Sequence, residues 1–170
     1  VDEAIRPDAL QILSNELDTN SEIDWCEGSA VVTNVDKDGN WASDIMLYDR
    51  TGYRQDLHYL ECCYLSYVGS LYRKSIHERF GYYDISFNAA GDTEFKNRIL
   101  PHIKSKALPM VLGVFLNYPE ERTTAHPRAE IEDLRAWYLH RTPSGIRYAF
   151  DSRPIEDAEA LFINALSYRK

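Results

Sequence analysis

Along the 170 residues, apolar positions recur in two rhythms, one helical and one extended. Leu10, Leu13 and Leu17 stand three and four apart, so residues 7–18 are expected to form a helix. Pro7 suits a first helical position and Asp8 suits the positive end of the dipole. The polar run 18–21 stops it. Residues 30–35, Ala-Val-Val-Thr-Asn-Val, predict a strand, and 36–40, Asp-Lys-Asp-Gly-Asn, predict a turn. Segment 41–56 shows no clear period; it reads as a loop with a short strand near 45–48, and 57–65 reads as helical. A strand is expected over 68–72. Ser75-Ile-His-Glu78 is a capping-box pattern that opens a short helix, and Gly81 ends it. A further helix is predicted over 92–100, with Phe95 and Ile99 one turn apart, and an apolar strand over 107–118. Pro127 opens a helix that carries Ile131, Leu134 and Tyr138 on one face, with Arg141 near its end. Pro154 opens the last, with Ile155, Ala158, Phe162 and Ala165 on a stripe.

Strands alternating with helices indicate an α/β domain. No internal repeat or low-complexity linker divides the chain, so 1–170 is expected to be one domain, with a core over 1–140 and a helical extension over 141–170. Composition fits: 44% hydrophobic and 27% charged residues are ordinary for a globular chain. The net charge of −8 argues against nucleic acid or an anionic membrane as partner, because phosphate binding needs a cationic face. Twelve Tyr and three Trp suit sugar sites, but cores and interfaces use them equally. Cys26 and the neighbours Cys62 and Cys63 have no disulfide or zinc spacing, so reduced thiols and a cytoplasmic protein, with room for peripheral membrane association, are expected. The longest apolar run, 107–116, is interrupted by Pro109 and Gly113 and is too short to span a bilayer. The first residues hold neither a signal core nor Met, so the chain is expected to begin inside a longer gene product.

Chemistry concentrates in Gly69-Ser-Leu-Tyr-Arg-Lys-Ser75, Gly81-Tyr-Tyr-Asp84 and Gly91-Asp-Thr-Glu-Phe-Lys-Asn-Arg98. Asp92 stands at the mouth of a predicted helix. Asp is also a favoured helix cap, and that role is compatible with a chemical one, since a helix mouth favours an ionised carboxylate. Glu94 is the rival base, and is otherwise expected to pair with a cation or point to solvent. Arg98 can steer a carboxylate or phosphate, or serve as an ordinary salt-bridged helix residue. Gly69 and Ser70 end or line a strand, where a glycine permits close ligand approach or marks a bulge. Arg73 and His77 read as surface residues. Asp2 and Glu3 form an acidic start ahead of the first helix. His126 precedes Pro127 in a loop rich in Thr and Glu, and reads as an exposed histidine or a metal ligand.

Taken together, these runs resemble the acceptor side of family 2 type glycosyltransferases, from residue 2 to about 138. Asp2-Glu3-x-x-x-Pro7-x-x-Leu10 resembles the end of that family's acidic metal motif, with Glu3 where an Asp is usual. Gly91-Asp92 stands where an acidic pair is usual. Tyr118-Pro-Glu-Glu-Arg-Thr123 stands where many relatives place a His before Pro and Ser.

The resemblance implies a GT-A-like, Rossmann-related mixed sheet with flanking helices, without its N-terminal nucleotide-binding half. It implies metal-assisted transfer of a sugar from a nucleotide-sugar to a carbohydrate or lipid-linked acceptor, as in polysaccharide biosynthesis, with inversion at the anomeric carbon. Asp92 would be the general base. Gly69, Ser70, Glu94 and Arg98 would line the substrate, and Asp2 and Glu3 would hold Mg²⁺ or Mn²⁺. With a half missing, an open sheet edge and apolar surface on the helix 7–17 would favour a homo-oligomer or a companion chain. Two rivals stand beside this reading: a non-catalytic glycan-binding or assembly remnant, and a metal hydrolase built on Asp2, Glu3 and Asp92, for which a His-rich ligand set is missing.

Overall fold

The computed structural model describes residues 3–36, 38–48, 65–118 and 127–140. The elements in chain order are β1 (Glu3–Ile5), α1 (Ala9–Thr19), β2 (Trp25–Val35), β3 (Trp41–Tyr48), β4 (Ser70–Tyr72), α2 (Ser75–Phe80), α3 (Gly91–Ile99), β5 (Ser105–Asn117) and α4 (Pro127–His140). A 3-10 turn, Leu100–His102, joins α3 to β5. The helices expected over 57–65 and after Pro154 lie outside the described residues, as do Cys62, Cys63 and His126, apart from Leu65.

The architecture is mixed α/β, as the alternation predicts. One mixed sheet runs β1-β5-β2-β3, with β4 also on β2. β2 and β5 are parallel, and β1 lies antiparallel to β5. The opposite edge of β2 serves two antiparallel partners in turn: Trp25, Cys26 and Glu27 pair with β4, and the stretch from Ala30 to Val35 pairs with β3. β2 is therefore the centre of the sheet and starts five residues before the strand expected at Ala30. Its first half contains Glu27 and Gly28, which carry no strand signal. Pairing on both edges and cover on both faces impose the extended form.

Trp25 and Cys26 are consecutive in β2, so their side chains point to opposite faces. Each seeds a core. Trp25 packs with Leu65, Ile76, Phe95, Ile99, Leu100 and Ile103, under α2 and α3. Cys26 packs with Ala9, Leu13, Leu17, Leu108 and Leu112, under α1. The sheet is thus covered by helices on both faces. Burial pushes the Cys26 thiol up to about 12, so it acts as a small apolar side chain.

Several local expectations are corrected. α1 begins at Ala9, after a Pro7–Asp8 turn, and its buried stripe is Ala9, Leu13 and Leu17; Leu10 points outward. The apolar surface expected to lie open on this helix is therefore mostly spent on the Cys26 core. β3 covers 41–48 rather than 45–48. Ser75 is the first residue of α2 and makes no capping bond, whereas Gly81 does end the helix, at φ +80°. On α4, Ile131 is exposed, and Ala129, Glu132 and Ala136 face inward. Ala136 packs with Phe87 and Ala90, so small residues bring α4 close to the approach of α3. Among the described residues no helix is long and apolar enough to cross a membrane.

β5 is the irregular strand. Gly28 is paired with Leu108, Ser29 with Val111 and Ala30 with Gly113, so Pro109 and Met110 bulge out of register. A proline, having no N–H, is tolerated at such a bulge. The displaced strand presses on the turn before β4. A Cβ on Gly69 would stand 2.8 Å from the Gly113 nitrogen, and one on Gly113 would stand 2.5 Å from Val68. Gly69 also has φ +67°, a left-handed conformation that glycine alone adopts cheaply.

Candidate functional site

α3 ends beside the start of β2, where Ile99 and Leu100 share a core with Trp25, and the chain re-enters the sheet with Ser105 opposite Trp25. The C-terminal end of α3 is thereby fixed beside the start of β2. Glu3 lies beside the carboxyl end of β5, since it pairs with Phe115. In open α/β sheets, ligand crevices form outside the carboxyl ends of parallel strands.

The first turn of α3 is not capped by its own sequence. The cap position is Ala90, so Asp92 lies inside the helix rather than at its cap. The three N–H groups of Asn88, Ala89 and Ala90 instead donate to one oxygen of Glu132 on α4, at 2.9, 2.7 and 3.0 Å. Those bonds, led by that from Ala89, hold the Glu132 carboxyl below its ordinary range. Glu132 thus ties the segment that leads into α3, up to its cap residue, to α4.

Asp92 is left half-exposed beside this segment. Its carboxylate lies 3.3 Å from Lys96 Nζ, with the Asp92 side chain 51% exposed and that of Lys96 only 9%. Lys96 sits over the Tyr67 ring, 4.6 Å from its centroid. Burial lowers the Lys96 pKa, and the charges of Asp92, Glu27 and Asp133 work against that fall. Glu27, fully buried on β2, accepts the Ser66 N–H at 2.5 Å. Tyr67 accepts a hydrogen bond from Tyr83 at 3.0 Å, and burial raises its pKa. Asp133 bonds to Thr93; burial raises its pKa, with the nearby negative charge of Asp92 adding to the rise.

Glu94 and Arg98, expected to line the substrate, meet each other. Arg98 Nε and Nη2 donate to the two Glu94 oxygens at 2.8 and 3.0 Å. The same guanidinium donates to the carbonyls of Phe80 and of Tyr82. His140 Nε2 approaches Glu94 at 2.8 Å. This cluster ties α3 to α4 and to the end of α2, and its Glu94 is buried.

Gly69 and Ser70 also serve the fold. The close approach at Gly69 is to the β5 backbone, and Ser70 Oγ donates to the Tyr67 carbonyl at 2.8 Å. Arg73 is not a surface residue: it is half-buried and donates to the carbonyls of Leu17, Asn20 and Ile23, closing the end of α1. His77 is half-buried too; its ring stacks on Tyr82 at 4.7 Å and its Nε2 lies 3.1 Å from the Tyr72 hydroxyl.

For the metal, Glu3 lies exposed on the edge strand β1, and Asp2 lies outside the described residues. Among the described residues no group of three or more His, Cys, Asp or Glu is placed to hold an ion. The charged groups around Asp92 and α3 that sequence reasoning missed are Lys96, Glu27 and Glu132. Lys96 has a signal, its i,i+4 spacing from Asp92. Glu27 and Glu132 have none, because both act on residues about forty positions away. No protein-family model and no curated protein matches the chain.

Proposed function

We propose that this chain is the acceptor-side part of a GT-A type, family 2-like glycosyltransferase, with Asp92 as general base. The observation that carries this reading is the contrast between the acids of α3. Asp92 offers a half-exposed carboxylate at the helix mouth, whereas Glu94 is buried against Arg98 and His140. Two further features support it: the helices on both faces of a mixed sheet, and the position of Glu3 beside the carboxyl end of β5.

The chemistry asks for one proton acceptor and one source of positive charge. An acceptor hydroxyl gives its proton to an Asp92 oxygen while its own oxygen attacks the anomeric carbon. The sugar–phosphate bond breaks on the opposite side, and the nucleoside diphosphate leaves with inversion. Glu3, with Asp2, would be the carboxylates that hold a Mg²⁺ or Mn²⁺ ion. When bound, the ion neutralises the departing diphosphate. Donor nucleotide-sugar and a carbohydrate or lipid-linked acceptor are the implied partners.

The test is Asp92→Asn in the full-length protein, assayed by nucleotide release from UDP-, GDP- and dTDP-sugars. Turnover is expected to fall by about two to four orders of magnitude with donor binding nearly intact. Wild-type protein that binds glycans but releases no nucleotide would favour the non-catalytic remnant. Normal turnover in Asp92→Asn would remove Asp92 from the mechanism.

A further inference from the structure

We infer that Lys96 is the positioning residue for Asp92: a buried ammonium, seated over the ring of Tyr67, that holds the half-exposed carboxylate at the mouth of α3. The inference rests on the reading of Asp92 as general base and adds to it the means by which that base is held.

Acid–lysine pairs at i,i+4 on a helix are usually solvated, with the flexible lysine outermost. Here the order is reversed. The lysine is the inner member at 9% exposed, and the acid is the outer one at 51%. A buried ammonium persists only with partners. Glu27 acts on it from β2, Asp133 from α4 and Asp92 from its own helix, while the face of Tyr67 lies 4.6 Å away. Glu27 is itself immobilised, being fully buried and hydrogen-bonded to the Ser66 backbone. Lys96 itself is enclosed over the Tyr67 ring, so it has lost much of the freedom that makes surface lysines poor positioners.

The contact to Asp92 is through one oxygen, Oδ2. That contact restrains where the carboxylate stands, while 51% of the Asp92 side chain stays open to an acceptor hydroxyl. Proton abstraction is sensitive to such alignment, and misplacement by about 1 Å can cost a hundredfold. The simpler role for Lys96 is to neutralise Glu27, with Asp92 a bystander. The two roles separate when Glu27 is neutralised by mutation.

The experiment compares wild type, Lys96→Met, Lys96→Ala and the double variant Lys96→Met/Glu27→Gln in the full-length protein. Fold is followed by thermal melting, and nucleotide release is followed with the same donor sugars. The double variant removes the ammonium without stranding a buried carboxylate, and its glutamine oxygen can still accept the Ser66 N–H. The expected result is a folded double variant whose kcat falls about 10- to 100-fold while the donor KM holds. Ethylammonium is expected to restore part of the kcat of Lys96→Ala, by entering the space that the side chain leaves. Wild-type kcat in the double variant would overturn the inference and leave Asp92 as base. A fall in kcat without amine rescue, accompanied by a raised donor KM, would assign Lys96 to packing and also overturn it. Absence of nucleotide release by wild type would overturn the glycosyltransferase reading, and the inference with it.

Discussion

α3 carries two acid–base pairs at the same spacing, and they have opposite structures. Asp92 and Lys96 are four apart, as are Glu94 and Arg98. In the first pair the base is buried and the acid stands half in solvent. In the second the acid is 3% exposed, and its arginine is spread over two backbone carbonyls and both carboxylate oxygens. The difference comes from what each face of the helix meets. Positions 92 and 96 look toward Tyr67, Glu27 and Asp133, a polar pocket with one lysine among several acids. Positions 94 and 98 look toward the end of α2 and His140, where a planar guanidinium can satisfy several acceptors at once. A pair that has spent its donors and acceptors on the fold is a strut. A pair that leaves a carboxylate half open is suited to chemistry.

The largest effects should separate these faces. Asp92→Asn is expected to cost turnover by about two to four orders of magnitude. Its thermal stability should change by less than about 1 kcal/mol, because the lost contact is solvated on the acid side. Glu94→Ala should behave in reverse. It leaves Arg98 and His140 without their shared acid, at a cost of about 3 kcal/mol in urea unfolding. Its turnover should fall only as far as folded protein is lost. If Glu94→Gln instead abolished turnover at full stability, the assignments of base and strut would have to be exchanged.

Gly69 extends the contrast to the strand before α2. A glycine at a strand end can admit a ligand or a neighbouring backbone, and sequence does not distinguish them. The φ of +67° and the 2.8 Å approach to Gly113 favour the backbone. Gly69→Ala is therefore expected to destabilise by about 1–3 kcal/mol in chemical denaturation. Donor KM measured on the folded fraction should stay unchanged. A raised KM at unchanged stability would return Gly69 to the substrate.

How far the sequence carries the reader depends on the range of the interaction. The helices at 9–19, 75–80, 91–99 and from 127 follow from local periodicity, capping or proline signals, and the sequence reads them to within two residues at their starts. The turn at 36–40 is as local: Asp36 accepts the backbone N–H groups of Asp38 and Asn40. The first half of β2 and the short β1 have no such signal, because only their partners in the sheet make them strands. At the site, Asp92, Glu94 and Arg98 are legible as residues, but their division of labour is not. It depends on Glu27, His140 and Glu132, each brought from a distant element. The cap of α3 is the clearest case. Local reasoning assigns it to Asp92, whereas the cap residue is Ala90, whose N–H and the two before it are held by a glutamate more than forty residues later.

That glutamate gives the smallest and last of the predicted effects, again as a contrast between neighbours. Glu132 and Asp133 are consecutive on α4, and their carboxyls are shifted in opposite directions. Backbone N–H groups lower Glu132, whereas burial and the charge of Asp92 raise Asp133. A lowered folded-state pKa means that Glu132 contributes stability that is present above its unfolded value of 4.5 and is lost as pH falls through the lower folded value. A raised one means that Asp133 ionises less readily in the fold than unfolded, where its value is 3.8, so its charged form detracts from stability at neutral pH. Glu132→Gln should therefore lower Tm at pH 7 and flatten the loss of stability below pH 4.5, where the native carboxylate would otherwise take up a proton. Asp133→Asn keeps a side chain that can bond Thr93 and should raise stability at pH 7, by less than about 1 kcal/mol for a group this open to solvent. Melting curves of both variants between pH 3 and pH 8 (roughly the span over which carboxyls lose their protons) read the two signs directly. If both variants destabilise equally at pH 7, Asp133 is a structural partner of Thr93, and the crowding of acids around Lys96 is weaker than its geometry implies.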